Sequence, residues 1–197
     1  MSPEIFAALL VFAFVASITP GPNNLMLLAS GVNFGFRRTL PHMLGIGVGF
    51  FVLLLAVGFG LGAILERMPA LYTALKFAGG AYLLYIAYRV ATSRSIGSTV
   101  AAARPMRFLE AAAFQWVNPK AWVIAIGGMA AYTNPERYAE SVLLVGVAFA
   151  LVNLPSVSTW AAFGAGLRTW LSNPVRLRWF NAAMGALLAL SLWPMLR

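Results

Sequence analysis

The sequence predicts an all-α integral membrane protein: six transmembrane helices form two inverted three-helix repeats, with helices 1 and 4 broken near the bilayer midplane. Three observations predict it. Of 197 residues, 61% are hydrophobic and only 10% charged, with a mean hydropathy of +0.82; a soluble domain is about half apolar and about a quarter charged. The apolar residues gather into six segments around one polar interior stretch. Proline-rich interruptions fall at corresponding places in the two halves. A soluble chain of this length keeps a large share of its surface wet, so apolar surface in this amount calls for lipid as its solvent.

A membrane-crossing helix needs roughly 20 apolar residues. No charge interrupts residues 5–36, which supply the first span, or 43–65, which supply the second. The third, 68–88, contains only Lys76. A polar stretch over 89–107 follows and includes Thr92-Ser93-Arg94-Ser95. The fourth span, 111–132, holds Lys120; the fifth covers 142–167 and the sixth about 179–196. The connections leave no room for a soluble domain. The expected organisation is one transmembrane domain over 1–197, with a first repeat at 1–91, a linker at 92–106 and a second repeat at 107–197. Glu4 and the lack of a basic residue before the first apolar run argue against a signal peptide, so the first helix is expected to be retained.

Lys and Arg near helix ends set orientation. One set of connections holds Arg37, Arg38, Arg89, Arg94, Arg104, Arg107, Arg168, Arg176 and Arg178. The opposite set holds only Arg67, Lys76, Arg137 and Arg197, mixed with Glu4, Glu66, Glu136 and Glu140. The bias places the linker in the cytoplasm and both termini outside. The net charge of +9 is thereby a topology signal, with some basic residues meeting lipid headgroups, and no nucleic-acid role is expected.

Three spans on each side of the linker force the second half to enter from the opposite face, and inverted carriers of this kind place broken helices near the midplane. Here the breakers are Thr19-Pro20-Gly21-Pro22-Asn23-Asn24 and Asn118-Pro119-Lys120. At 1.5 Å per residue both lie roughly 18–24 Å from opposite faces. Proline cannot continue a helix but suits the first position of a new one, with Thr or Asn before it as cap. Thr19-Pro20 and Asn118-Pro119 both fit that pattern. A helix N-terminus carries unpaired N–H groups and about half a positive charge. Lys120 adds a full charge at membrane depth, where ionisable groups are costly, and no carboxylate lies in any span to neutralise it. The expected partner is an anionic substrate group such as a carboxylate, with Asn23, Asn24, Gln115 and Asn118 binding its polar groups. Against this, single proline kinks commonly serve packing and lysines snorkel. Two breaks in symmetric positions, one of them charged, favour a site. Pro155, with Asn153 and Ser156, is a third candidate kink, and Asn153, Trp116 and Trp122 are candidate cavity-lining residues.

Composition also limits the chemistry. With one histidine, no cysteine and no carboxylate within a span, a conventional membrane enzyme cannot assemble its nucleophile, base or metal ligands. The same shortage disfavours a metal site, and no cofactor is expected. A channel or a structural assembly protein is the competing reading. Gly45/Gly49 and Gly58/Gly62 allow close helix approach, within the chain or across a homodimer.

The run Thr19 to Asn24 followed by Leu25-Met26-Leu27, then Gly35-Phe36-Arg37, Gly45 and Gly49, Lys76 to Leu83, and Asn118-Pro119-Lys120 resembles the LysE/RhtB amino-acid exporter family across essentially the whole chain. The Pro-Gly-Pro-Asn-Asn form is most similar to the cysteine/O-acetylserine exporter branch. The resemblance implies a bacterial inner-membrane secondary exporter of amino acids or close derivatives, driven by the proton gradient. Such carriers often use an intramembrane carboxylate or histidine; Glu110 and His42 are the groups available. For His42 the competing role is an interfacial packing or headgroup contact, and for Glu110 a pairing with a nearby arginine such as Arg107.

Overall fold

In the computed structural model, which describes residues 1–63, 67–93 and 104–193, the chain folds as eight α-helices with no strand among the described residues. Most of the expected linker (94–103), the end of the expected second span with Glu66 (64–66), and the last residues including Arg197 (194–197) lie outside them.

Helix α1 (Pro3–Ile18) starts behind Ser2, whose Oγ accepts from the Ile5 N–H at 3.4 Å, with Pro3 at the first helical position. After the first break come α2 (Pro22–Phe34) and α3 (Phe36–Ala56), joined through the single residue Gly35. Gly35 has φ +80°, a left-handed conformation that a side chain disfavours. Beyond Ala56 the chain runs on to Leu61 through a kink at Phe59 and Gly60, where Gly60 has φ +109°. Then follow α4 (Pro69–Ala91), α5 (Phe108–Gln115), α6 (Pro119–Tyr132), α7 (Tyr138–Leu167) and α8 (Pro174–Leu190). Proline opens five of these eight helices, where its missing N–H has no partner to lose.

The helices α3, α7 and α8 start several residues before the uncharged runs that announced them. Arg37, Arg38, Glu140, Arg176 and Arg178 sit exposed in those first turns, so the apolar run marks only the part of each helix suited to lipid. Among the described residues, Phe36–Leu61 and Pro135–Leu167 are each long and apolar enough to cross a bilayer. The pair α1 and α2, bent by 55°, makes a third if counted as one span. The polarity pattern is that of a membrane protein. Leu151 and Val123 are 71% and 70% exposed in mid-helix, while Asn24, Asn33, Gln115, Asn118, Asn153 and Asn181 are buried.

Helix α7 lies against α1, α2, α3 and α6, and α4 pairs with α8. Two close approaches depend on missing side chains. A Cβ on Gly31 of α2 would stand 2.3 Å from the Ala161 carbonyl, and one on Gly164 of α7 would stand 2.2 Å from that of Leu28. Gly45 and Gly49 of α3 seat α5 in the same way, 2.3 Å from the Phe108 oxygen and 2.5 Å from the Ala112 Cα. This pair therefore serves packing within the chain.

Candidate functional site

Both breaks form, and the first differs in detail from expectation. Thr19 precedes a proline, which drives it out of helical conformation; it ends α1 with ψ 142°. Gly21 also precedes a proline and is extended, so Pro22 rather than Pro20 opens the second half-helix, with Gly21 rather than Thr19 at the cap position. Glycine has no side chain to accept from the first-turn N–H groups, and α2 begins without a side-chain cap.

The carbonyl end of α1, by contrast, is fully engaged. Thr19 Oγ1 donates to Ala16 O at 3.3 Å, and Asn24 Nδ2 donates to Ser17 O at 2.9 Å and Thr19 O at 2.8 Å. Trp160 Nε1 donates to Ile18 O at 3.1 Å. Lys120 Nζ then reaches across from the other break and donates to Thr19 O at 2.9 Å, Thr19 Oγ1 at 3.0 Å and Pro20 O at 3.4 Å.

Lys120 sits unfavourably in the first turn of α6, yet its ammonium is not left without protein partners. It lies at the carbonyl end of α1, the negative pole of a helix dipole. The second break itself is as expected. Asn118 caps α6, its Oδ1 accepting from the Lys120 N–H at 3.2 Å, and Pro119 is the first helical residue. The two breaks are also tied by amides: Asn23 Nδ2 donates to Gln115 Oε1 at 2.8 Å, and Gln115 Nε2 returns a bond to Asn23 Oδ1 at 3.2 Å and another to Ala111 O at 2.9 Å.

A cavity of about 40 Å³ lies where the breaks meet. Of the expected site residues, Gly21, Pro22, Asn23, Asn24, Gln115, Asn118, Lys120 and Asn153 line it. Thr19, Pro20 and Pro119 do not line it. Trp116 and Trp122 do not line it: Trp122 is buried in the core and its Nε1 donates to Trp116 O at 2.9 Å, so the indole pins the turn. Ser17, Ile46, Phe50 and Ile124 line the cavity without having been anticipated. Ile46, Phe50 and Ile124 carry no signal beyond hydrophobicity. Ser17 had one, a polar residue in the last turn before a break.

Glu110 and His42 lie away from the cavity wall. Glu110 pairs with a nearby arginine, as expected, and the arginine is Arg104; Arg107, the example named for it, supplies a backbone N–H at 2.9 Å. Just ahead of the fourth apolar run, the hydrogen-bonded Arg104 guanidinium holds the Glu110 carboxyl down to about 2. The cause of this pairing is geometric: Glu110 caps its own helix and turns back toward the incoming chain. His42 is 2% exposed, and neither ring nitrogen has a hydrogen-bond partner. Burial of that depth fits the packing half of the role expected of it and not a headgroup contact.

The family model described as LysE type translocator matches residues 14–191. The chain is 30% identical over 168 residues to a cysteine/O-acetylserine efflux protein of Escherichia coli (strain K12), covering 83% of this chain and 84% of that protein. It has the same identity and coverage with the protein of that name from Shigella flexneri. No solved structure matches the chain. A family match over nearly the whole chain, joined to apolar helices that break at Pro20–Pro22 and Pro119, identifies the chain as a multi-pass membrane protein of the LysE type translocator family.

Proposed function

We propose that the chain is a secondary active transporter that exports amino acids or close derivatives from the cytoplasm across the bacterial inner membrane. In this reading six spans (α1 with α2, α3, α4, α5 from Ala111 on with α6, α7 and α8) form inverted halves at 1–91 and 107–197. The segment 92–106 is a cytoplasmic linker and both termini lie outside. Helix packing supports a two-fold relation between the halves. Exchanging the halves carries α1 onto α5, α2 onto α6, α3 onto α7 and α4 onto α8. The α1–α7 contact then becomes α5–α3, and α2–α7 becomes α6–α3. The α3–α7 and α4–α8 contacts map onto themselves, and every one of these contacts is present.

The observation that carries the reading is the meeting of Lys120 with the uncapped start of α2 at the cavity wall. A Cβ on Gly21 would lie 3.1 Å from Lys120 Nζ, so glycine lets the ammonium approach the first turn of α2. N–H groups at a helix start and an ammonium are all donors, which is the demand of a carboxylate. Thr19, Pro20, Gly21, Pro22 and Pro119 give the breaks their shape. Asn23, Gln115 and Asn118 offer amide groups to the rest of the substrate, and Asn24 holds the carbonyl end of α1. The relatives' name, cysteine/O-acetylserine efflux protein, supports a small amino acid as cargo.

The proton gradient is the driving force in this reading. His42 is the group suited to coupling, because Arg104 keeps Glu110 ionised. Lipid covers the exposed apolar faces, and any homodimer uses surfaces other than Gly45 and Gly49.

Counterflow of labelled amino acids in proteoliposomes tests the reading. A carrier saturates and shows counterflow; a channel or a structural protein does neither. Lys120→Ala and Asn118→Ala are each expected to abolish counterflow in protein that still inserts. Undiminished flux in Lys120→Ala would sink the carboxylate site.

A further inference from the structure

The cavity has a second pole. Asn153, on α7, is 7% exposed and lines the same wall as Lys120. Its Nδ2 donates to Ser17 Oγ at 3.2 Å, which fixes the amide plane, while its Oδ1 is buried with no hydrogen-bond partner. A buried acceptor left unpaired forfeits its hydration with nothing in return, so its retention at a cavity calls for a ligand that donates. Ser17 lies in the last turn of α1, at the helix end that carries about half a negative charge. The other acceptors at that end, Thr19 O and Pro20 O, already hold the Lys120 ammonium. Around one small cavity, donors therefore gather at Lys120 and the start of α2, and a free acceptor stands at Asn153 beside the end of α1.

We propose that Asn153 Oδ1 receives the α-ammonium of the substrate while its carboxylate meets Lys120 and the first turn of α2, so that the carrier selects zwitterions over simple acids and simple amines. This inference rests on the carboxylate reading of Lys120 given above. The break in the first span serves both ends of the ligand: the close of α1 faces the cation and the opening of α2 faces the anion.

The test uses purified full-length carrier in proteoliposomes, with counterflow of labelled L-cysteine and three competitors. Unlabelled cysteine carries both charges, mercaptopropionate lacks the amino group, and cysteamine lacks the carboxylate. Wild type should prefer cysteine to either fragment. Asn153→Leu should weaken cysteine by about ten-fold or more, the loss expected for a hydrogen bond to a charged group, and leave mercaptopropionate unchanged. Asn153→Asp, whose second oxygen can accept from the Ser17 hydroxyl in place of the lost Nδ2–H bond, should hold or tighten cysteine and cysteamine while weakening mercaptopropionate. Equal effects of either substitution on cysteine and mercaptopropionate would overturn the inference. A wild type that treats all three alike would overturn it too. Lys120→Ala separates the two readings. If it abolishes cysteine counterflow while Asn153→Leu leaves cysteine untouched, the carboxylate site stands and the ammonium site falls. If Lys120→Ala changes nothing, both fall.

Discussion

Two adjacent glycines on α4 should respond in opposite ways to the same substitution. A Cβ on Gly79 would stand 2.0 Å from the Val117 carbonyl oxygen and 2.9 Å from the Val117 carbon and Cβ. A Cβ on Gly80 would meet only Leu192 Cδ2, at 3.7 Å. Ordinary contact begins near 3.4 Å, so in Gly79→Ala the helix or the break must retreat by 3.4 − 2.0, about 1.4 Å. Overpacking costs about 1–3 kcal/mol, and the obstacle here is backbone that no rotamer change can clear, which places the cost at the upper end. Gly80→Ala meets no obstacle and gains about 0.5–1 kcal/mol from reduced backbone freedom in a helix. The two variants should therefore differ by about 3–4 kcal/mol, read from denaturant unfolding midpoints in detergent micelles. Val117 precedes the Asn118 cap, so Gly79→Ala should also depress counterflow, whereas Gly80→Ala should not. Equal midpoints, or a larger loss in Gly80→Ala, would refute the claim that α4 is seated on the second break by backbone contact.

Three other outcomes follow from the same geometry. Asn33 and Asn181 bond to each other across α2 and α8, at 3.1 and 3.4 Å, and Asn181 also donates to Ser93 O at 3.0 Å; either alanine substitution should cost about 1–3 kcal/mol by orphaning its partner, and a double-mutant unfolding cycle should recover a coupling of about 0.5–3 kcal/mol. Glu110 is depressed to about 2, chiefly by Arg104, so its stabilising contribution is complete above the ordinary carboxylate value near 4.5 and is lost as pH falls toward 2. Between pH 5 and 8 Glu110→Gln should therefore scale transport by one factor at every pH, and an altered profile shape in counterflow assays would contradict this. Replacing Pro20 and Pro22 together by alanine should permit helix to run through the break and stop counterflow, since Asn24 and Lys120 bind carbonyls that only the break frees; normal flux would make the break a packing feature.

The parts of this molecule legible in the sequence are those whose cause is local. Asn118 and Pro119 dictate a cap and a helix start because the residue types act on their own backbone, and the structure has both. The first break was legible as a break, but its cap was not, because two prolines compete for the first helical position. The second proline wins here because each forces the residue before it to be extended. The partner of Lys120 was hidden for a different reason: Thr19 lies 101 positions away along the chain, and the acceptors are backbone carbonyls, which no residue type announces. Trp122 and Trp116 were misread because proximity to a break was taken as proximity to a cavity. Which side of a helix faces inward depends on neighbours outside its own sequence.

Size adds a constraint on how the site works. About 40 Å³ is room for roughly three waters at 10–15 Å³ each, against roughly 300–1,000 Å³ for typical ligand pockets. An amino acid enters only if the walls part, and the walls differ in what parting costs. Between α2 and α7, Gly31 and Gly164 set backbone against backbone, and Gly45 and Gly49 do so between α3 and α5; separation there opens voids that nothing refills. At the breaks the ties are hydrogen bonds, Lys120 to Thr19 and Asn23 to Gln115. Those groups lose little on separating when a carboxylate, an ammonium or an amide partner replaces what they release. An apolar molecule of the same size would leave them unpaired. The contacts that resist opening are thus indifferent to the ligand, and the hydrogen bonds at the breaks are replaced only by a polar one, so under the proposed reading selection for small zwitterions is built into the step that admits them.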